Sequence, residues 1–419
     1  MLGIYLSLFI ALYLQYAPSI LGNGVSPLLL GGIMIAIGLL FLFLQILLLG
    51  FALAPLQRAG QATTSRILEL FQKDRVIRLI NGGILVFTIF SIALAMDLIF
   101  LHFLSPHVVL SLWVLMLGAA YDAILWLVQR VLNYYNSFKV VEMVAHAAQK
   151  CVQEEKELDL CHWIEGLSEI SNQAIQRTNI SLCNDANHHL QLVTKHFLQS
   201  SKSLSHHAQD KQTEQLGIAD KVSYVLFFIL QRLEIIANKA LDAKLDLVSQ
   251  NMTSVFGKMI LSSGQCDMSL ATYSIHYMGK WALKAQAHRV PDIAEKATVM
   301  FVEVSKSLVQ DVDLTYEEIK EPFLSLIRYM HELAKEMFRQ DKKMSTKLLT
   351  QPFRDLRALF TDSKIAGHQD APAIIADLDR VLGEFSALDA VLQMMPPIPE
   401  IPQTLIAELE GKEKGMEIG

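Results

Sequence analysis

The sequence predicts an all-α protein: a four-span transmembrane helical bundle followed by a cytoplasmic α-helical domain of helix hairpins. Three observations carry this. Of 419 residues, 52% are hydrophobic and only 19% charged, with a positive mean hydropathy, against about 25% charged in a typical soluble domain. No Lys, Arg, Asp or Glu occurs before Arg58. The charge then divides unevenly: residues 1–134 hold six Lys/Arg and four Asp/Glu, and residues 135–419 hold thirty and thirty-eight. This split argues against a disordered chain, a disulfide-stapled secreted domain and an electrostatic nucleic-acid binder, which needs a basic surface.

A helical crossing of about 30 Å of hydrocarbon takes about 20 apolar residues, so the uncharged N-terminal stretch accommodates two. The first span is read at residues 2–21 and the second at 28–54, joined by Gly22-Asn23-Gly24-Val25-Ser26-Pro27, a turn-forming run without charge. A cleavable signal peptide is the competing reading, and it lacks a basic leading region. A third span at 82–104 and a fourth at 108–128 are separated only by Ser105-Pro106-His107, which fits a tight membrane hairpin. The second connection carries Arg58, Arg66, Lys73, Arg75 and Arg78, and Arg130 and Lys139 follow span four, whereas the other turns have no Lys or Arg. The positive-inside rule therefore places both termini in the cytoplasm. Ile67, Leu68, Leu70, Phe71, Val76, Ile77 and Ile80 recur near helical spacing, the pattern of an interfacial helix leading into span three. Its basic residues would attract anionic lipid headgroups.

Small residues repeat at every fourth position, Gly3, Ser7 and Ala11 in span one, Gly32 and Ala36 in span two, and Ser91 and Ala95 in span three. Such stripes let membrane helices approach closely. Asp97 and Asp122 fall inside predicted spans, and an intramembrane acid must face protein or water because ionising it in lipid is costly. At about 1.5 Å per residue from the outer turn they stand roughly 11 and 21 Å deep, too far apart for a shared proton. His102, five residues from Asp97, points to another face. Each acid reads either as a packing element, with Gln45 or Tyr121 as partner, or as part of an ion or proton path.

Residues 135–395 form the predicted cytoplasmic domain. Span four is expected to run on through Tyr134, Phe138, Val141 and Val144 to about Lys150 as a rigid stalk. Further helices are expected at about 157–177, 183–207, 214–243, 246–262, 268–288, 291–310, 316–340, 345–361 and 372–394. Pro291 suits a first helical turn, and Thr315 with Glu318 has capping-box spacing. Four segments resemble one another loosely: IEGLSEISNQAIQ, ILQRLEIIANKAL, IHYMGKWALKAQ and IRYMHELAKEMF, each followed by a second amphipathic helix. Their unequal separations favour stacked antiparallel hairpins over a regular solenoid. Residues 396–419 begin as a polyproline-type stretch and end charged and small, a composition that builds no core and suits a flexible or partner-bound extension.

Little chemistry is encoded. Cys151, Cys161, Cys183 and Cys266 match no C-x-x-C spacing and read as free thiols. The best metal-like group is Cys161-His162 with Cys183, Asp185, His188, His189 and His196. Asp185 and His189 could share an ion, but His196 lies two turns further, about 10.5 Å along the axis, so no metal site is assigned. No P-loop, G-x-G-x-x-G, H-E-x-x-H or G-x-S-x-G occurs. No catalytic or cofactor-binding residue is expected, and thirteen histidines, including His206-His207, leave a pH response as a bare physical option.

The second span GGIMIAIGLLFLFLQILLLGFAL, the loop ILELFQKDRVIRLI and the helix NYYNSFKVVEMVAHAA, within residues 28–148, resemble in order an uncharacterised family of bacterial predicted membrane proteins carrying a domain of unknown function. Phe71 with Asp74-Arg75-Val76 is the most specific part. The chain departs from that family in its minimal first turn and in Asn184-Asp185-Ala186, where the family has Asn-Asp-Pro. The resemblance implies a four-span architecture in a bacterial inner membrane and brings no activity. The expected function is a non-enzymatic membrane protein whose helical domain binds partners or organises a complex. The alternative is an oligomeric channel or transporter with Asp97, Asp122 and Gln45 lining the path.

The topology is checked by labelling. Cysteines placed at Asn23 and Ser105 should react with an impermeant reagent outside whole cells and one at Gln61 should not; external labelling at Gln61 would reverse the orientation.

Overall fold

The computed structural model describes residues 2–16, 26–207, 212–290, 292–314, 317–341, 345–362 and 364–394. Among them the chain is helical, with no strand. The N-terminal helices are α1 (Leu2–Tyr16), α2 (Pro27–Ala62), α3 (Ile67–Lys73), α4 (Arg75–Met96), continued by a π-helical turn at Asp97–Leu101, and α5 (Pro106–Asn133). Three stretches among the described residues are long and apolar enough to cross a membrane: Pro27–Gly60, Arg75–Leu101 and Pro106–Asn133. That corrects the count of four. With 15 residues α1 reaches only about 22 Å, and the expected remainder of span one lies largely at residues 17–25, outside the described residues.

Packing in this part is open. α4 lies between α2 and α5, and α1 packs on α5. Large side chains such as Phe9, Leu28, Phe43, Phe51, Leu79, Ile89, Phe100 and Phe103 are exposed along these helices. Glycine matters at one contact above all: a Cβ on Gly118 would come within 2.5 Å of the Gly3 carbonyl and would also strike the Ser7 side chain.

Beyond the membrane helices come α6 (Ser137–Gln153), α7 (Glu157–Gln176), α8 (Ile180–His207), α9 (Gln212–Asp242), α10 (Asp246–Cys266), α11 (Met268–Ala287), α12 (Ile293–Asp311), α13 (Lys320–Gln340), α14 (Thr346–Asp362) and α15 (Ala371–Met394). The predicted segments meet these helices one for one, and the exceptions are local. The predicted stalk is broken: α5 ends at Asn133, and Asn136 restarts the chain by accepting the Phe138 N–H (3.1 Å). α13 starts at Lys320, without a side-chain cap. Pro291 and Thr315 lie outside the described residues.

The even-numbered helices from α6 to α14 pack in sequence as one layer and the odd-numbered helices from α7 to α15 as another, with successive helices paired across the layers. The four similar segments are α7, α9, α11 and α13, all in one layer, and their first residues Ile164, Ile229, Ile275 and Ile327 are all buried. The expectation of stacked hairpins thus describes a two-layer stack of five, in which each unit buries its apolar face on its neighbours. Glu155, Thr178, Lys244 and Arg289 close α6, α7, α9 and α11 in the left-handed conformation. Each lets the next N–H bond five residues back, as Asn179 does to Ala174 (2.8 Å).

One core is continuous from Ala52 and Leu56 of α2, through Ile80, Ile84 and Leu127, to Phe385 of α15; a second, smaller one lies between Met34, Phe87, Leu94 and Trp113. The boundary expected at residues 134/135 is therefore not a break in packing.

Gly118→Leu should detach α1 from α5 and cost about 1–3 kcal/mol, read as a lower melting temperature in detergent. Gly50→Leu, where a side chain meets open space, should be silent.

Candidate functional site

A network of long-range polar contacts lies where α3, α4 and α5 meet the helical stack. Chemistry begins at Asp74, the residue between α3 and α4. Its extended backbone places its carboxylate over the free N–H groups of α4, and Oδ1 accepts from Val76 (2.9 Å). Oδ2 accepts from Arg130 Nε (2.8 Å) and from the Tyr134 hydroxyl (2.8 Å), both at the end of α5. Burial alone would raise the Asp74 carboxyl, but these donors outweigh it and hold its pKa below the usual carboxylate range. Burial, with Asp74 beside it, raises the Tyr134 phenol, which stays a donor. Phe71 closes the site by meeting the Tyr134 ring edge to face at 5.4 Å.

A second clamp joins the same loop to α7. Glu169 accepts from the Thr64 hydroxyl (2.6 Å) and the Ser65 N–H (3.3 Å). His162 sits between Glu69 Oε2 (2.7 Å) and the Arg66 guanidinium (2.8 Å from Nε2). Glu69 also pairs with Lys73 (2.8 Å). Between α3, α6 and α7 these groups border an open cleft of about 660 Å³, lined by five basic and five acidic side chains. Its charge is balanced, so it is not an anion trap.

The intramembrane candidates are differently placed. Asp97 opens the π-helical turn, and its carboxylate accepts the N–H groups of Phe103 (3.0 Å) and Leu104 (3.2 Å), while His102 adopts a left-handed conformation. It is a bracket closing the end of the apolar stretch Arg75–Leu101. Asp122 accepts the N–H groups of Gly3 (3.0 Å) and Ile4 (3.1 Å), which would otherwise be unsatisfied donors in the first turn of α1. The structure therefore does not bring the two acids together. Gln45 Nε2 reaches the Asn81 carbonyl at 3.5 Å, and Gln45 Oε1 is buried without a partner. Tyr121 borders Gly3.

Of the small residues, Gly3 and Ser7 face α5, and the Ala11 carbonyl accepts from Ser111 (3.2 Å). Ser91 accepts from Trp113 Nε1 (3.0 Å), and Ala95 is buried. Gly32 and Ala36 are on the wrong face: both are exposed, and no atom approaches Gly32. α2 meets α4 through Gly31, which faces Ile99, and Gly38, which faces Ser91. An apolar helix offers several small-residue registers, and sequence spacing does not choose between them.

The metal-like group is dispersed as well. Asp185 and His189 approach to 3.9 Å, His162 is engaged with Glu69, and Cys183 is buried beside Asn187. No group of three or more metal-ligating side chains assembles among the described residues. Burial pushes all four thiols up, Cys183 to about 12 and Cys266 to about 11, which leaves them protonated and unreactive.

Sequence reasoning missed the Asp74–Arg130–Tyr134 node and Glu169. The signal for the first was present, an Asp directly before the apolar run of α4, in the N-cap position. Nothing in sequence pairs residues 64 and 169. Comparison with known proteins gives no matching family model and no matching curated protein. Among solved structures the chain is similar to a "Circular tandem repeat protein with novel repeat topology and enhanced subunit contact surfaces" at 11% identity, over 88% of this chain and 99% of that one, with a TM-score of 0.26. A score of that size does not define a common fold.

Asp74→Ala should destabilise the protein by about 2–4 kcal/mol, because a helix cap is lost and a partly buried Arg130 loses its carboxylate. Since the folded pKa of Asp74 is depressed, its contribution is fully present above about pH 4 and fades as pH falls through the folded value. Acid unfolding of the wild type should therefore show a loss of stability that Asp74→Asn lacks.

Proposed function

We propose that the protein is a non-enzymatic scaffold of the bacterial inner membrane, with both termini in the cytoplasm, whose helical stack holds partner proteins in a fixed position against the bilayer. The observation that carries this reading is the shared core. Ala52 and Leu56 of α2, Ile80 of α4 and Leu127 of α5 are buried in the same cluster as Val144 of α6 and Ile164 of α7, so the stack is mounted on the membrane helices rather than tethered by a linker. A two-layer helical stack offers extended surface for protein contact. Arg58, Lys73, Arg75 and Arg78 are exposed at the rim and would meet anionic headgroups; Arg66 turns inward to His162.

An oligomeric channel is the second reading. It is favoured by the partnerless Gln45 Oε1 and Asn81 Oδ1 among apolar helices. The capping roles of Asp97 and Asp122 weigh against it, because each carboxylate is occupied by two backbone amides.

Flux in proteoliposomes separates the two. The scaffold predicts no ion or proton flux for the wild type, and in Asp97→Leu and Asp122→Leu a loss of assembly as the capped amides are exposed. Flux through the purified protein, altered by Asp97→Asn with assembly intact, would replace the scaffold by a channel.

A further inference from the structure

The stack leaves a gap between two helices of one layer. α14 packs less closely on α12 than α12 does on α10, and α13 behind them forms the floor of the groove that results, about 300 Å³ in volume. The walls follow from helical spacing. On α12, Glu295, Val299 and Glu303 recur at every fourth position and form one ridge; on α14, Leu348, Pro352 and Asp355 form the other. Val302, Ala334 and Leu349 are buried at its base, whereas Val299 and Leu348 are large apolar side chains exposed outside the N-terminal helices. Water over these two side chains is a cost that a docked apolar surface removes.

The groove also has a sign. Among the described residues that line it, Glu295, Glu303 and Asp355 are acidic and Lys306 is basic. Glu295 and Glu303 are exposed on one wall and Asp355 is half-buried on the other, so both edges of an apolar strip carry negative charge. The cations of α14 are turned away from it. At about 100° per residue, Lys347 and Arg354 lie roughly a quarter-turn from the Leu348–Asp355 ridge, on the solvent side, and Arg357 is paired with Asp379 of α15.

The occupant that matches both properties is a helix with apolar side chains along one stripe and Lys or Arg on its two flanks. Its apolar side chains enter the groove while its cations meet the acids on each edge. The volume admits side chains and not a backbone, so the helix lies on top. From Glu295 to Lys306 the wall is about 16 Å long, three helical turns. Two other occupants are disfavoured by charge. A second copy presenting the same face would set acid against acid, and the sequence after Met394 has five Glu and two Lys, the same sign as the groove.

We propose that the α12–α13–α14 groove docks a basic amphipathic helix of a partner protein; this rests on the scaffold reading above and gives the class of partner. The test uses the full chain in phosphatidylcholine nanodiscs and a synthetic helical peptide of about four turns, with Leu along one stripe, Lys on both flanks and a benzophenone on the apolar side. A second peptide carries Glu in place of each Lys. The Lys peptide should bind above the level of empty nanodiscs and photolink to the segments holding Val299 and Leu348, and the Glu peptide should not bind. Glu295→Lys with Glu303→Lys should weaken binding about tenfold or more. Asp242→Lys with Glu332→Lys, exposed acids that do not line the groove, should leave it unchanged. Leu348→Glu separates docking from general attraction, because it adds an acid but removes an apolar wall; it too should weaken binding. Every substituted side chain is exposed, and unchanged circular dichroism verifies folding. No binding beyond empty nanodiscs, photolinks outside the groove, equal loss in the control variant, or tighter binding by Leu348→Glu would each overturn the proposal. Peptide binding that falls as the chain concentration rises would overturn it in favour of a second copy. Ion flux in proteoliposomes tests the scaffold reading separately, so the two fail distinguishably.

Discussion

The structure depends on how the apolar helices α4 and α5 are tied together where they meet the helical stack, and Asp74 makes that tie. One carboxylate caps the start of α4 and receives Arg130 and Tyr134 from the end of α5. At this position the acid can stay charged because three donors surround it. The tie fixes the end of α5, and so sets where Asn136 starts α6 and in which direction the stack begins.

From that point geometry propagates by packing. α3 lays Ile67 and Phe71 inward, and Glu169 and His162 hold the loop against α7. Each hairpin of the stack packs on the one before it, and one cluster extends from α2 to α15. Backbone capping recurs elsewhere in the apolar helices: Asp97 closes the end of α4 remote from Asp74, and Asp122, part-way along α5 towards Arg130, caps the start of α1, so that these amides are not left unsatisfied. α1 hangs on α5 through that cap and a glycine contact, with little packing elsewhere.

Much of the architecture was legible because helical periodicity is a local property. The segment at 157–177 is α7 at Glu157–Gln176, and that at 268–288 is α11 at Met268–Ala287. The four similar segments share one layer, since the same buried pattern answers to the same neighbours. Breaks were harder to read. Tyr134 and Tyr135 carry no helix-stopping signature, and the stalk bends there because Tyr134 is held by Asp74 and Tyr135 donates to the Ala52 carbonyl (3.3 Å). Gly32 and Gly31 are equally small, and only the position of Ile99 selects Gly31 as the contact. The roles of Asp97 and Asp122 needed knowledge of which backbone amides were left unpaired, and the Glu169 clamp spans 105 positions. These are tertiary facts, absent from any window of sequence.

The central claim is that the stack and the apolar helices move as one body. It is tested most directly by the distance distribution between spin labels at Val86 on the exposed side of α4 and Leu247 at the start of α10, both exposed, in the full chain in lipid nanodiscs. A shared core predicts one narrow distance, which broadens in Asp74→Ala. A broad or bimodal distribution in the wild-type background would mean that the helical domain swings on its anchor, and would contradict the account.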